Sequence, residues 1–248
     1  MIRFKIKIAD VVFEVSSNYP STRSFYYDFL CDQPADHRII IGTNETMELN
    51  NEAPHLDLER CERGILKSSL DEILVNYNTF PILASAISYR GFAYVFSALS
   101  GVGKSTHSRS WKHTFGDEVI IINDDRPYLK VNENGVWTYS HPQSGIHNLY
   151  TNTFSQVKAI GKIVRDSTNY VVPADGASFF PFLFQQTFTM NKPLLTSKII
   201  FLLKQVIQRV ELYEIHCNED TDAAFSIQKQ LSELEKNNVR NKSHNTCL

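Results

Sequence analysis

No apolar stretch of this chain runs free of charge for the roughly 20 residues that a membrane-spanning helix needs, which argues against a helical anchor. No secretory leader is expected either. Met1-Ile2-Arg3-Phe4-Lys5-Ile6-Lys7-Ile8 alternates apolar and basic side chains, the period of a strand, where a secretory leader carries a continuous apolar core. Cysteine is scarce: Cys31, Cys61, Cys217 and Cys247 are the four, and no pair has the short spacing of a zinc site or disulfide framework. The expectation is a reducing cytoplasm and free thiols. An excess of one charge is also lacking, with 25 Lys and Arg against 27 Asp and Glu, so charge gives no case for nucleic acid or an anionic membrane as partner. Internal repeats are absent. What remains is an ordinary globular composition, 42% hydrophobic and 21% charged over 248 residues, enough for one large α/β domain or a small domain fused to a medium one.

One stretch carries chemistry. Phe96-Ser97-Ala98-Leu99-Ser100-Gly101-Val102-Gly103-Lys104-Ser105-Thr106 follows an apolar run at 91–96 that reads as a buried strand, and 106–115 can continue as a helix. Strand, small-residue turn, Gly-Lys-Ser and helix are the context of a phosphate-binding P-loop. Glycines let the backbone approach an anion, and successive amides together with the helix N-terminus point at it. Residues 100–106 (Ser100, Gly101, Val102, Gly103, Lys104, Ser105 and Thr106) are the candidate phosphate contacts, with Lys104 reaching the β- and γ-phosphates and Ser105 ligating Mg²⁺. Ala98 stands where the full motif has its first glycine, which is tolerable if its φ is negative. The bland alternative is a Gly/Ser turn that merely joins a strand to a helix.

After the helix, Val119-Ile120-Ile121-Ile122 is a short apolar strand discharging Asn123-Asp124-Asp125. In a nucleotide-binding α/β sheet, acidic residues at that strand end supply a metal ligand and a catalytic carboxylate. If both stay extended, Asp124 and Asp125 face opposite sides; the alternative is a β-turn in which an aspartate caps backbone groups. Elsewhere, 2–8 and 11–15 suggest a hairpin around Ala9-Asp10, 38–42 a strand, 58–78 an amphipathic helix, and 82–88 the strand before the P-loop strand. The aromatics of 16–36, among them Tyr26 and Phe29, fit core or loop packing better than a base-stacking surface, because no basic residues interleave them. Strands follow at 128–131, 136–140, 157–164 and 211–216, and helices at 174–187, 194–209 and 220–234. His141 and His147 lie in one polar loop, and their spacing is a weak metal signal.

These residues resemble a family. The run Phe96 to His107, then Trp111, then Ile122-Asn123-Asp124-Asp125-Arg126-Pro127 is similar to the C-terminal fold of HPr kinase/phosphorylase, and more so to its shorter bacterial homologues labelled PEP carboxykinase-like or HPr-serine-kinase-like. More loosely, the likeness extends over 66–234. It implies a P-loop kinase of that α/β type, a mixed sheet with flanking helices. The expected division is a strand-rich N-terminal region (1–58), a kinase-like domain (59–235) and, from its polar composition, a fraying tail (236–248). The likeness also implies ATP-dependent phosphate transfer to a serine-type hydroxyl of a peptide, protein or small molecule, with Mg²⁺. By position Lys104 would bind the nucleotide and assist catalysis, Ser105 and Asp125 would hold the metal, and Asp124 would be the general base, the two aspartates being exchangeable. A homo-oligomer is compatible with the helix-rich end. The chain departs from the family where Leu83-Ala84 replaces His-Gly, and where Ser140-His141-Pro142-Gln143-Ser144-Gly145-Ile146 lacks a lysine. Losing a cation beside developing phosphate charge costs about 3–4 kcal/mol unless a group such as His147 or Arg126 replaces it. A nucleotide-binding scaffold or regulator with little turnover is therefore the second reading.

Overall fold

Ala9 and Asp10 both adopt positive φ (47° and 71°), the backbone of a two-residue hairpin turn, and join β1 (Ile2–Ile8) to β2 (Val11–Ser17). The computed structural model of the protein describes residues 1–142, 149–187, 193–218, 220 and 222–244, with 237–244 as backbone. Helix α1 (Pro20–Phe25) and a 3₁₀ turn (Tyr27–Phe29) carry the chain across to β3 (His37–Ile40), which lies parallel to β2. Along β1, Phe4, Ile6 and Ile8 turn inward, as the alternation predicts. They meet Tyr26, Phe29 and the apolar face of α3 (Leu58–Val75), which follows the short α2 (Thr43–Glu52). Asp57 caps α3 by accepting the Arg60 amide at 2.7 Å.

Glu62, fully buried on α3, would be a costly charge without partners. Its carboxylate accepts from the amides of Asn18 (2.6 Å) and Tyr19 (3.3 Å) and from Thr22 Oγ1 (2.6 Å), and so ties the start of α1 to α3. The same apolar cluster takes in Tyr128 and Tyr139, so packing is continuous from the small sheet to the large one.

The large sheet begins with β4 (Thr79–Pro81), β5 (Ala84–Tyr89) and β6 (Phe92–Ser97), the last two joined through Arg90 and Gly91 at positive φ. Helix α4 (Lys104–Phe115) leads to β7 (Val119–Asn123), β8 (Tyr128–Asn132), β9 (Gly135–Tyr139), β10 (Phe154–Arg165) and β11 (Tyr170–Pro173). Helices α5 (Gly176–Gln186) and α6 (Pro193–Arg209), strand β12 (Glu211–Cys217) and helix α7 (Ala223–His244) complete the chain. Spatial order is β4-β8-β9-β10-β6-β5-β7, with β12 on β10 and β11 on β12. β10 is parallel to β6 and β12, while the other pairs of this sheet are antiparallel. One edge of β10 faces β6; the other serves β9 up to Gln156 and β12 from Ala159, with the register shift between Val157 and Ala159 marking the exchange.

Both faces of this sheet are covered, which explains why β6 reads as an unbroken apolar run. On one face Phe179, Leu183, Ile199, Leu202 and Val206 of α5 and α6 pack on Val95 and its neighbours. On the other, Trp111 of α4 and Ile227 and Leu231 of α7 pack on Tyr94 and Phe96. The protein is thus a mixed α/β protein with a strand-rich N-terminus. Among the described residues, no helix is long and apolar enough to cross a membrane.

Candidate functional site

β6 ends at Ser97, whose hydroxyl donates to the Leu83 carbonyl at 2.7 Å and fixes where the next turn starts. Ala98 is buried and is not among the positive-φ residues, so the methyl in place of the motif's glycine is accommodated. Gly101 and Gly103 do have positive φ, 78° and 121°, conformations that a side chain would strain. The space where a Cβ would stand is open at both. Lys104 opens α4 and folds back so that Nζ donates to the Ala98 carbonyl at 3.0 Å. Burial lowers the pKa of this ammonium, and the nearby Asp125 carboxylate opposes that shift. Ser100, Gly101 and Thr106 are exposed, and 102–105 half-buried, so the predicted contacts form one accessible surface around the helix N-terminus. An anion of phosphate size would meet open space above the glycines, unpaired first-turn amides and a half-desolvated cation.

The acidic turn lies against this loop. Ser105 Oγ donates to the Asp124 carbonyl at 3.1 Å, joining the first turn of α4 to the end of β7. Of the two alternatives for Asp124 and Asp125, the turn is the one observed: β7 stops at Asn123, and 124–125 form a bend. Asn123, rather than an aspartate, caps it. Its Oδ1 accepts the amides of Asp125 (3.0 Å) and Arg126 (2.7 Å), and its Nδ2 donates to the His141 carbonyl at 2.7 Å. The bend still separates the two carboxylates by environment. Asp124 is buried, with its amide on the Leu149 carbonyl at 3.1 Å, whereas Asp125 is half-exposed. Ser105 and Asp125 offer two oxygen ligands, a number that suits Mg²⁺ completed by water and phosphate. Among the described residues no group of three or more His, Cys, Asp or Glu could hold a metal by itself.

Sequence reasoning missed the polar cluster behind the bend. Lys67 Nζ pairs with the buried Asp71 carboxylate, which also accepts from Tyr128 OH at 2.6 Å. Burial lowers the Lys67 pKa, and charges on Arg126 and Asp125 act on it as well, so this cluster is electrostatically part of the site. The i,i+4 spacing of Lys67 and Asp71 on α3 was its one visible signal. His141, assigned to a polar loop, is buried with its ring edge-on to Tyr26 and Tyr128; His147 and the 143–146 part of that loop lie outside the described residues.

The rear of α4 is held by His107, fully buried against Phe96, which accepts from Trp111 Nε1 at 3.0 Å through Nε2. Burial pushes its pKa down to about 4, so the folded protein holds the ring neutral. The unfolded chain, with an ordinary histidine pKa near 6.5, binds that proton more readily. Stability from this group is therefore complete above about pH 6.5 and is lost as pH falls towards 4, by about 3 kcal/mol in all. Denaturant unfolding at a series of pH values should show His107→Gln, which keeps an acceptor for Trp111, with a flatter profile between those limits. Parallel profiles for the two proteins would refute this.

No protein-family model matches the chain, and no curated protein matches it. Among solved structures the chain has a distant likeness to the HPr(Ser) kinase/phosphatase from Coxiella burnetii, at 12% identity and a TM-score of 0.40, covering 67% of this chain and 97% of that one.

Proposed function

We propose that the protein is an ATP-dependent kinase that transfers the γ-phosphate to a serine-type hydroxyl of a peptide, protein or small molecule. The observation that carries this reading is the junction of the glycine turn with the acidic bend through Ser105 Oγ and the Asp124 carbonyl. A plain connecting turn has no need of two glycines at positive φ, a half-buried lysine and a buried aspartate at one place. Bound MgATP would supply the transferable phosphoryl group. The amides of 101–106 and Lys104 would hold its phosphates, Ser105 and Asp125 its metal, and Asp124 would take the proton of the attacking hydroxyl.

A second reading, nucleotide binding with little turnover, draws on Leu83. Its backbone accepts from Ser97 Oγ and its amide donates to the Gln186 carbonyl at 2.8 Å, but its side chain brings no polar group to the loop. Calorimetry with MgATP, followed by ADP formation with a panel of serine-containing peptides, separates the two. Binding with acceptor-dependent ADP is the expected result; binding without it establishes the regulator, and no binding overturns both.

A further inference from the structure

Two hydrogen bonds to the glycine turn come from outside it. Arg165, the last residue of β10, donates Nε to the Val102 carbonyl and Nη2 to the Gly101 carbonyl, each at 3.1 Å. In a trans peptide the carbonyl of one residue and the N–H of the next point in opposite directions, and no cis peptide occurs among the described residues. Holding the Val102 carbonyl towards Arg165 therefore turns the Gly103 amide to the opposite face of the loop. Holding the Gly101 carbonyl does the same for the Val102 amide, which donates to the Leu99 carbonyl at 3.3 Å. The glycines at either side of Val102 occupy wells that glycine leaves easily, so the loop's own sequence does not lock the Val102–Gly103 peptide plane. A positive charge on the carbonyl oxygens also polarises each peptide, and makes the N–H across it a stronger donor.

We infer that Arg165 is a positioning residue for the phosphate-binding loop: it fixes and polarises the 101–103 peptides so that the Gly103 amide faces the anion. This rests on the reading of 100–106 as a nucleotide-phosphate site. Arg165 is exposed, so it adds little to global stability.

The test compares wild type, Arg165→Ala, Arg165→Lys and Lys104→Ala. In nucleotide-free, ¹⁵N-labelled protein, Arg165→Ala should shift or broaden the Gly101 and Gly103 amide signals while the melting temperature stays at the wild-type value. MgATP should then bind about tenfold more weakly by calorimetry. Arg165→Lys, which has the charge without the fork, should recover only part of the loss, and added methylguanidinium should restore binding to Arg165→Ala. Unchanged glycine signals overturn the inference whatever the nucleotide does, as does wild-type affinity in Arg165→Ala. Absence of MgATP binding in the wild type, with Lys104→Ala no different, overturns the nucleotide reading and this inference with it.

Discussion

Replacing Lys104 with alanine should abolish MgATP binding and leave the fold intact. In the free protein the ammonium makes its hydrogen bond to the neutral Ala98 carbonyl, and burial already works against its charge. Its removal therefore relieves as much as it loses, and the expected change in stability lies within about 1 kcal/mol. A polyphosphate reverses this balance, because a charge-assisted contact in a half-desolvated site contributes about 1.5–3 kcal/mol and Lys104 is placed to make two. The affinity loss is then about 100-fold or more. Thermal melting offers an independent check. At a nucleotide concentration near 100 Kd, binding stabilises the wild type by about 2.7 kcal/mol, or roughly 5–10 °C for a chain of this size. Lys104→Ala should melt at the wild-type temperature without nucleotide and show no such shift with it. Equal shifts in the two proteins would mean that the nucleotide, if it binds, sits elsewhere.

Much of what surrounds this lysine is legible in the sequence, and the reasons are physical. β6 and α4 declare themselves because a strand covered on both faces is apolar at every position, and because only glycine tolerates the conformations at 101 and 103. The β1–β2 hairpin shows through strict alternation. Helix α2 has no such signal: Thr43–Glu52 is polar, and it folds where Leu49 packs on the cluster that α3 builds. β11 is four residues long and mostly exposed, and it forms its ladder with β12. Helix α7 runs on to His244, past Leu234 where its apolar period ends. The polar contacts of the site are the least legible part. Asp71 of α3 meets Tyr128 of β8, and Arg165 reaches Val102 from the last residue of β10, distances along the chain that no local pattern encodes. The acidic bend is an intermediate case, since the sequence places its carboxylates but leaves open that Asn123 does the capping.

That capping is why Asp124→Asn should be a clean variant. The bend is held by Asn123 and by the Asp124 backbone, whose amide donates to Leu149 and whose carbonyl accepts from Ser105. A side-chain amide of the same shape leaves all of these in place, and Lys104 and Asp125 are untouched, so MgATP affinity should stay within about twofold of wild type. Turnover should not survive. An amide cannot accept the proton of an attacking hydroxyl, and removal of a positioned general base lowers the rate by about 100- to 10,000-fold. Single-turnover transfer at saturating MgATP, measured with whichever acceptor supports ADP formation, isolates the chemical step from binding. Asp125→Asn provides the contrast: as a metal ligand its loss should raise the Mg²⁺ concentration needed for half-maximal binding. If the phenotypes are interchanged, the two aspartates exchange roles, the half-exposed carboxylate serving as base and the buried one holding the metal. If Asp124→Asn transfers at the wild-type rate and Asp125→Asn does too, neither aspartate is the base, and the acidic bend serves only to hold the start of α4.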